Sequence, residues 1–202
     1  MRNASRPFFG MALVRYKICS KILSHFQSVF SIIINIISVI TLKLYINRDI
    51  SSVTSRFVVY DELCREKYIV TSSNKSLEKL KITDLNGNVV TKISRLPLPL
   101  LNAYSITNGK KNIKFILNPA KNAENCYYYG ISWHIRGRVF TKSFDILDVD
   151  NSLIATQIRS FEKCVDGYEL NIISEEFEQF CLASAVCVNL TATISNPALQ
   201  TV

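Results

Sequence analysis

Between residues 42 and 173 the chain is a succession of short runs in which apolar and polar side chains alternate, separated by turn-forming residues. Alternation with a period of two marks a strand with one buried face. LKLYI (42–46), SRFVVYD (55–61), EKYIVTS (66–72), LEKLKITD (77–84), NVVTKISR (88–95), LNAYSIT (101–107), NIKFIL (112–117), KSFDILD (142–148), SLIATQIR (152–159) and YELNII (168–173) all fit it. CYYYGISWHI (126–135) suits one long strand or two short ones around Gly130, and the split gives about twelve strands. Asn86-Gly87 and Asn108-Gly109 lie between alternating runs and predict hairpin turns. Pro97 and Pro99 mark an edge, a corner or a bulge, because proline cannot donate to a central ladder.

Three of these strands share a pattern: Phe57-x-Val59-x-Asp61, Leu80-x-Ile82-x-Asp84 and Phe144-x-Ile146-x-Asp148. Two apolar positions point inward and an Asp follows, whose side chain can bond the backbone two residues on. A short turn and a second strand come next, with Tyr68/Val70, Val89/Ile93 and Ile154/Ile158 as the expected inward pairs. Turn formation accounts for these aspartates better than metal binding, since no loop has the dense acidic spacing that calcium needs.

The pattern changes at Ser174. SEEFEQFCLASAVCVN (174–189) reads as one helix, with Ser174 as N-cap and Glu175, Glu176 and Glu178 in the first turn, where the helix dipole favours negative charge. From Phe180 to Val188 no polar face remains, and a helix apolar all round must be enclosed by protein or lipid. It is too short for a usual bilayer span. The fold expected is therefore mainly β: a closed twelve-stranded barrel, without free edges, wound around this helix. Phe180, Leu182, Val186 and Val188 are its expected central packing residues.

Composition changes the picture at the N-terminus. Residues 1–48 hold seven Lys/Arg and no Asp or Glu, while the other 154 residues carry 17 basic against 16 acidic side chains. Seven of the eight net positive charges thus come from the first 48 residues. The near-neutral main domain argues against a nucleic-acid partner, which calls for a basic face. Residues 26–42 carry no charge, and the run is at the short edge of what spans a membrane. It reads as a single span with a cytoplasmic N-terminus, as an extra strand or helix on the domain, or as a poorly ordered leader; the long lead and the lack of a small-residue cleavage motif disfavour a signal peptide. The expected organisation is a leader (1–41), a barrel domain (42–194) and a tail (195–202), cytoplasmic or membrane-associated and monomeric.

Catalytic signatures are missing. No nucleophile elbow, P-loop or dinucleotide motif occurs, and His25 and His134 have no third ligand in a metal pattern. Nothing in the spacing supports a Cys126–His134 pair. The six cysteines, without a CxxC, read as reduced packing residues. No cofactor, metal or enzyme activity is expected; a hydrolase with unsignalled residues is the outside reading. Two basic clusters are candidate anionic-lipid contacts: Lys110, Lys111 and Lys114 around one turn, and Arg136 and Arg138 with Lys142 around a second turn at Gly137. Ordinary solvated turns are the plainer reading of both.

The run LKLYIN…RFVVYDE…KYIV…LEKLKITDLNGNVVTKI, with FDILD…LIATQI, YELNI and the final FCLASAVCV, resembles the LURP-one-related proteins of the tubby C-terminal-like superfamily, relatives of the phospholipid scramblases. The resemblance covers roughly residues 42–194. It implies a twelve-stranded barrel around a hydrophobic C-terminal helix and supplies no catalytic set. Tubby members bind phosphoinositides, yet no motif here places those contacts, and a scramblase-like calcium segment is not recognisable. The expected function is a non-enzymatic binding or adaptor module for an anionic lipid headgroup or a protein partner at a membrane surface. A scramblase-like lipid transporter is the alternative.

Overall fold

The computed structural model describes residues 41–49, 56–72, 77–98, 101–118, 126–160 and 167–194. Most of the charge-free run 26–42, Pro99 and the tail 195–202 lie outside these residues. The strands are β1 (Leu42–Asp49), β2 (Arg56–Tyr60), β3 (Glu66–Ser72), β4 (Lys79–Asp84), β5 (Val89–Leu96), β6 (Asn102–Asn108), β7 (Lys111–Leu117), β8 (Cys126–Tyr129), β9 (His134–Arg138), β10 (Ser143–Leu147), β11 (Leu153–Ser160) and β12 (Gly167–Ile172). A 3₁₀ turn (Glu175–Phe177) leads into α1 (Glu178–Ile194). Each strand pairs antiparallel with its sequence neighbour, and β1 pairs with β12 to close the barrel. Closure satisfies the backbone groups that two edge strands would leave unpaired.

The interior is built by the alternation read above. Leu44, Ile46, Phe57, Val59, Val70, Leu80, Ile82, Ile93, Ile106, Phe115, Phe144, Ile146, Leu170 and Ile172 all point inward and are buried. They meet α1, on which every residue from Phe180 to Thr191 is buried. Phe180, Leu182, Val186 and Val188 are among them, and each such side chain contributes about 1.5–3 kcal/mol. The slim Cys181, Ala183, Ser184, Ala185 and Cys187 let the helix fit the lumen.

The three Asp-turns are one structure used three times. Asp61 N–H donates to the Arg65 carbonyl, and Cys64 N–H to the Asp61 carbonyl; Asp84 with Asn88 and Gly87, and Asp148 with Ser152 and Asn151, repeat both bonds. The fourth residue is left-handed each time: Cys64 (φ 61), Gly87 (φ 82) and Asn151 (φ 66). This is a tight turn closed by a bulge, and the bulge shifts the register of the returning strand. The inward pairs are therefore Tyr68/Val70, Thr91/Ile93 and Ala155/Gln157. Val89 and Ile158, expected inside from their hydrophobicity, are exposed.

Polar residues of several strands hold the helix. Gln179 Nε2 donates to the Tyr68 hydroxyl (2.9 Å), and the Thr91 hydroxyl donates to Gln179 Oε1 (3.2 Å). Lys67 Nζ pairs with Glu178 (2.6 Å), and the Tyr104 hydroxyl meets the Thr191 hydroxyl (3.1 Å). Burial pushes the Tyr68 and Tyr104 hydroxyls up to about 12, with the Glu178 charge adding to the effect at Tyr68. Polar pairs at fixed heights select one axial register for an otherwise apolar rod.

Three local expectations are corrected. Ser174 makes no side-chain cap; its carbonyl accepts from Phe177 N–H instead (3.1 Å). Gly137 is not a turn but sits inside β9 (φ 115), so Arg136 and Arg138 are strand residues rather than hairpin tips. Finally, Cys64 is disulfide-bonded, so the cysteines are not uniformly reduced. Cys126, Cys181 and Cys187 are free and buried.

Candidate functional site

Because α1 occupies the lumen, the outer wall and the strand ends are the surfaces available to a partner. Strand alternation fixes what the wall presents. With Leu80, Ile82, Ile93, Ile106, Ile113, Phe115 and Tyr128 inside, β4 to β8 turn Lys79, Lys81, Lys92, Ser94, Ser105, Thr107, Asn112, Lys114, Ile116, Tyr127 and Tyr129 outward. Register arranges them in rows across the strands. Lys81 stands opposite Lys92, followed by Thr107 and Asn112. Lys79 stands opposite Ser94, followed by Ser105, Lys114 and Tyr129. Asn112 Nδ2 donates to both the Ser105 (2.9 Å) and Thr107 (2.6 Å) hydroxyls.

No outward position of β4–β8 is acidic. Among the described residues, none of Lys79, Lys81, Lys92 and Lys114 is ion-paired. Like charges directly opposite one another on an antiparallel pair are destabilising, so the Lys81–Lys92 facing pair is a local cost.

An apolar groove of about 490 Å³ borders this basic field. Leu96, Pro97, Leu98, Ile116, Tyr129 and Gly130 line it, together with Asn112 and Lys114. A three-residue turn centred on Pro97, in which Leu98 N–H donates to the Leu96 carbonyl (2.8 Å), raises its rim. On the other side of that rim lies a polar pocket of about 460 Å³ with Glu78, Lys79, Ser94 and Arg95.

The expected basic residues fall apart into two groups. Lys110 and Lys111 are exposed in and beside the two-residue loop Gly109–Lys110, and Lys114 lies three residues along β7 from Lys111, on the wall described. Arg136 is on β9, ion-paired with Asp145 (3.0 Å), and Lys142 Nζ stacks on the Tyr168 ring at 4.8 Å. The side chain of Arg138 lies outside what is described. The first cluster thus joins a larger basic surface, whereas in the second Arg136 is ion-paired and Lys142 lies over an aromatic ring. Lys79 and Lys81 stand two apart in sequence and Lys92 eleven residues further on, so no local cluster of three marks them. Only the Asp84 turn, which sets 81 opposite 92, brings them together.

Nucleophilic chemistry finds no support here. Burial pushes the Cys126 thiol up to about 12 and raises the Cys181 and Cys187 thiols as well, so all three stay protonated. His134 Nε2 is engaged with Asn151 Oδ1 (3.1 Å). Among the described residues no three His, Cys, Asp or Glu side chains gather as a metal site, and no helix is long and apolar enough to cross a membrane.

Comparison with known proteins bears on the fold. A crystal structure of an Arabidopsis thaliana protein superposes with a TM-score of 0.51 at 12% identity, covering 75% of this chain and 91% of that one. At that identity the likeness concerns the fold alone. No curated protein matches the chain. The profile of the LURP-one-related family matches residues 42–189, from the start of β1 to near the end of the central helix. The chain belongs to the LURP-one-related family.

Proposed function

We propose that this protein is a non-enzymatic binding module whose β4–β8 wall docks on an anionic membrane surface or lipid headgroup. The observation that carries this reading is the unneutralised basic field: Lys79, Lys81, Lys92 and Lys114 on the wall, with Lys110 and Lys111 at its hairpin tip. Each lysine brought to a negatively charged bilayer surface contributes about 1 kcal/mol. Serine and threonine hydroxyls between the lysines can donate to phosphate oxygens. The adjoining apolar groove, with half-exposed Leu98 and Tyr129, suits the boundary between headgroups and acyl chains.

The alternative, a scramblase-like transporter, needs α1 in a bilayer or acyl chains in the lumen. Its helix is instead enclosed along residues 180–191 and hydrogen-bonded to the strands at Tyr68 and Thr91. Sedimentation with phosphatidylcholine vesicles, with and without phosphatidylserine, tests the proposal. Wild-type protein pellets with the anionic vesicles only, and reversing Lys110, Lys111 and Lys114 to Glu reduces pelleting. Wild-type protein that ignores the anionic vesicles overturns the reading. In a dithionite assay on reconstituted vesicles no lipid flipping is expected, and flipping at a useful rate would favour the transporter.

A further inference from the structure

We infer that the groove beside Lys114 receives the acyl chain of an anionic amphiphile whose charged head rests on that lysine. This rests on the anionic-surface reading above and adds a second, apolar contact to it. The basic field alone would bind charge; the groove supplies what a headgroup does not use. Its walls are Leu96, Pro97, Leu98, Ile116 and the Tyr129 ring, and its polar groups are Asn112 and Lys114. A concave, mostly apolar site of a few hundred cubic ångströms with few polar groups is the usual form of a small-ligand pocket. Charge complementarity selects the ligand: one cation and no acid among the described lining residues call for an apolar chain ending in a negative head.

Local structure keeps the groove open. Gly130, at φ 90, approaches the Asn112 carbonyl so closely that an added Cβ would lie 3.0 Å from its oxygen. The β8–β9 connection therefore runs close against the β7 backbone at Asn112 and Ile113. Leu98 is 42% and Tyr129 58% exposed, so both rims keep apolar surface that a chain could cover.

The test measures affinity for butyl phosphate and dodecyl phosphate, each below its micellar concentration, by titration calorimetry. Dodecyl phosphocholine is the zwitterionic control, and anionic-vesicle pelleting is run on the same samples. Eight extra methylenes, about half covered in an open groove, should give wild-type protein roughly 100-fold preference for the dodecyl ester. Leu98→Ser with Tyr129→Ser, both outward and remote from the core, should cut that preference to a few-fold, weakening dodecyl phosphate far more than butyl phosphate. Lys114→Glu should weaken both phosphate esters and spare dodecyl phosphocholine.

Equal wild-type affinity for the two esters, with vesicle pelleting intact, overturns the groove assignment and leaves the basic wall standing. A dodecyl preference that survives the double substitution overturns it too, since the chain then lies elsewhere. Dimerisation abolished by the same double substitution assigns the groove to a second copy and overturns it. Wild-type protein that neither pellets nor binds phosphate esters removes the surface reading itself.

Discussion

The two halves of the barrel share one interior and differ on the outside. From β9 through β12 to β1, two outward cations among the described residues are answered across the strands. Arg136 pairs with Asp145, which also accepts from Thr156 (2.8 Å), and Lys43 pairs with Glu169 (3.0 Å), which also accepts from Asn171 (2.9 Å). From β4 to β8 the outward lysines face another lysine or a hydroxyl. The backbone geometry is the same, so the difference lies in which residues the register sets opposite one another. A wall that satisfies its own charges offers little to a partner, whereas one that does not gains by binding an anion.

The comparison can be broken most severely from within. Val186 is fully buried in the helix that both halves wrap, so Val186→Asp places an unpaired charge at their common core. The expected cost is more than about 4 kcal/mol, enough to prevent cooperative folding, as read by circular dichroism and denaturant titration. A variant that melts like the wild type would mean that the helix is not enclosed.

The next two substitutions treat the halves oppositely. Asp145→Lys removes the acceptor of both Arg136 and Thr156 and creates a like-charge pair, lowering stability by about 1–2 kcal/mol. Anionic-vesicle binding should not fall. Lys81→Glu converts a like-charge pair into an opposite one and should raise stability by about 0.2–1 kcal/mol while weakening vesicle binding. Stability and binding moving together at residue 81 would erase the distinction between the walls.

The smallest effect concerns the repeated turns, which both halves contain. Asp84 is held below its ordinary 3.8, first by the Asn88 side-chain bond and then by the Asn88 and Asn86 backbone N–H groups. A carboxyl depressed in the folded state binds protons more readily in the unfolded one. Its stabilisation is present above pH 3.8 and is lost as pH falls from there through the lower native value. Asp84→Asn should flatten that acid limb slightly in urea titrations run as a function of pH, and an unchanged limb would refute the assignment.

Most of the fold was legible because strand alternation, Asn-Gly turns and an all-apolar helix are local signals. Twelve strands and one enclosed helix follow from them directly. The inward placement of Thr91 and Gln157 was not legible, because a bulge after each Asp-turn shifts the returning strand by a residue. Hydrophobicity alone therefore pointed to Val89 and Ile158. The surface was half legible. Lys110, Lys111 and Lys114 cluster in sequence, but Lys81 and Lys92 are neighbours only through pairing, and the carboxylate that pairs with Arg136 and the ring under Lys142 lie on other strands.

The central claim is that one wall of this barrel is the working surface. The most direct test measures the affinity of Lys81→Glu/Lys92→Glu for phosphatidylserine-containing vesicles beside Arg136→Glu, which alters the opposite wall. At about 1 kcal/mol per basic residue, the double reversal should weaken binding by at least about tenfold, and Arg136→Glu by no more than about twofold. Equal losses in the two variants, or a larger loss with Arg136→Glu, would contradict it.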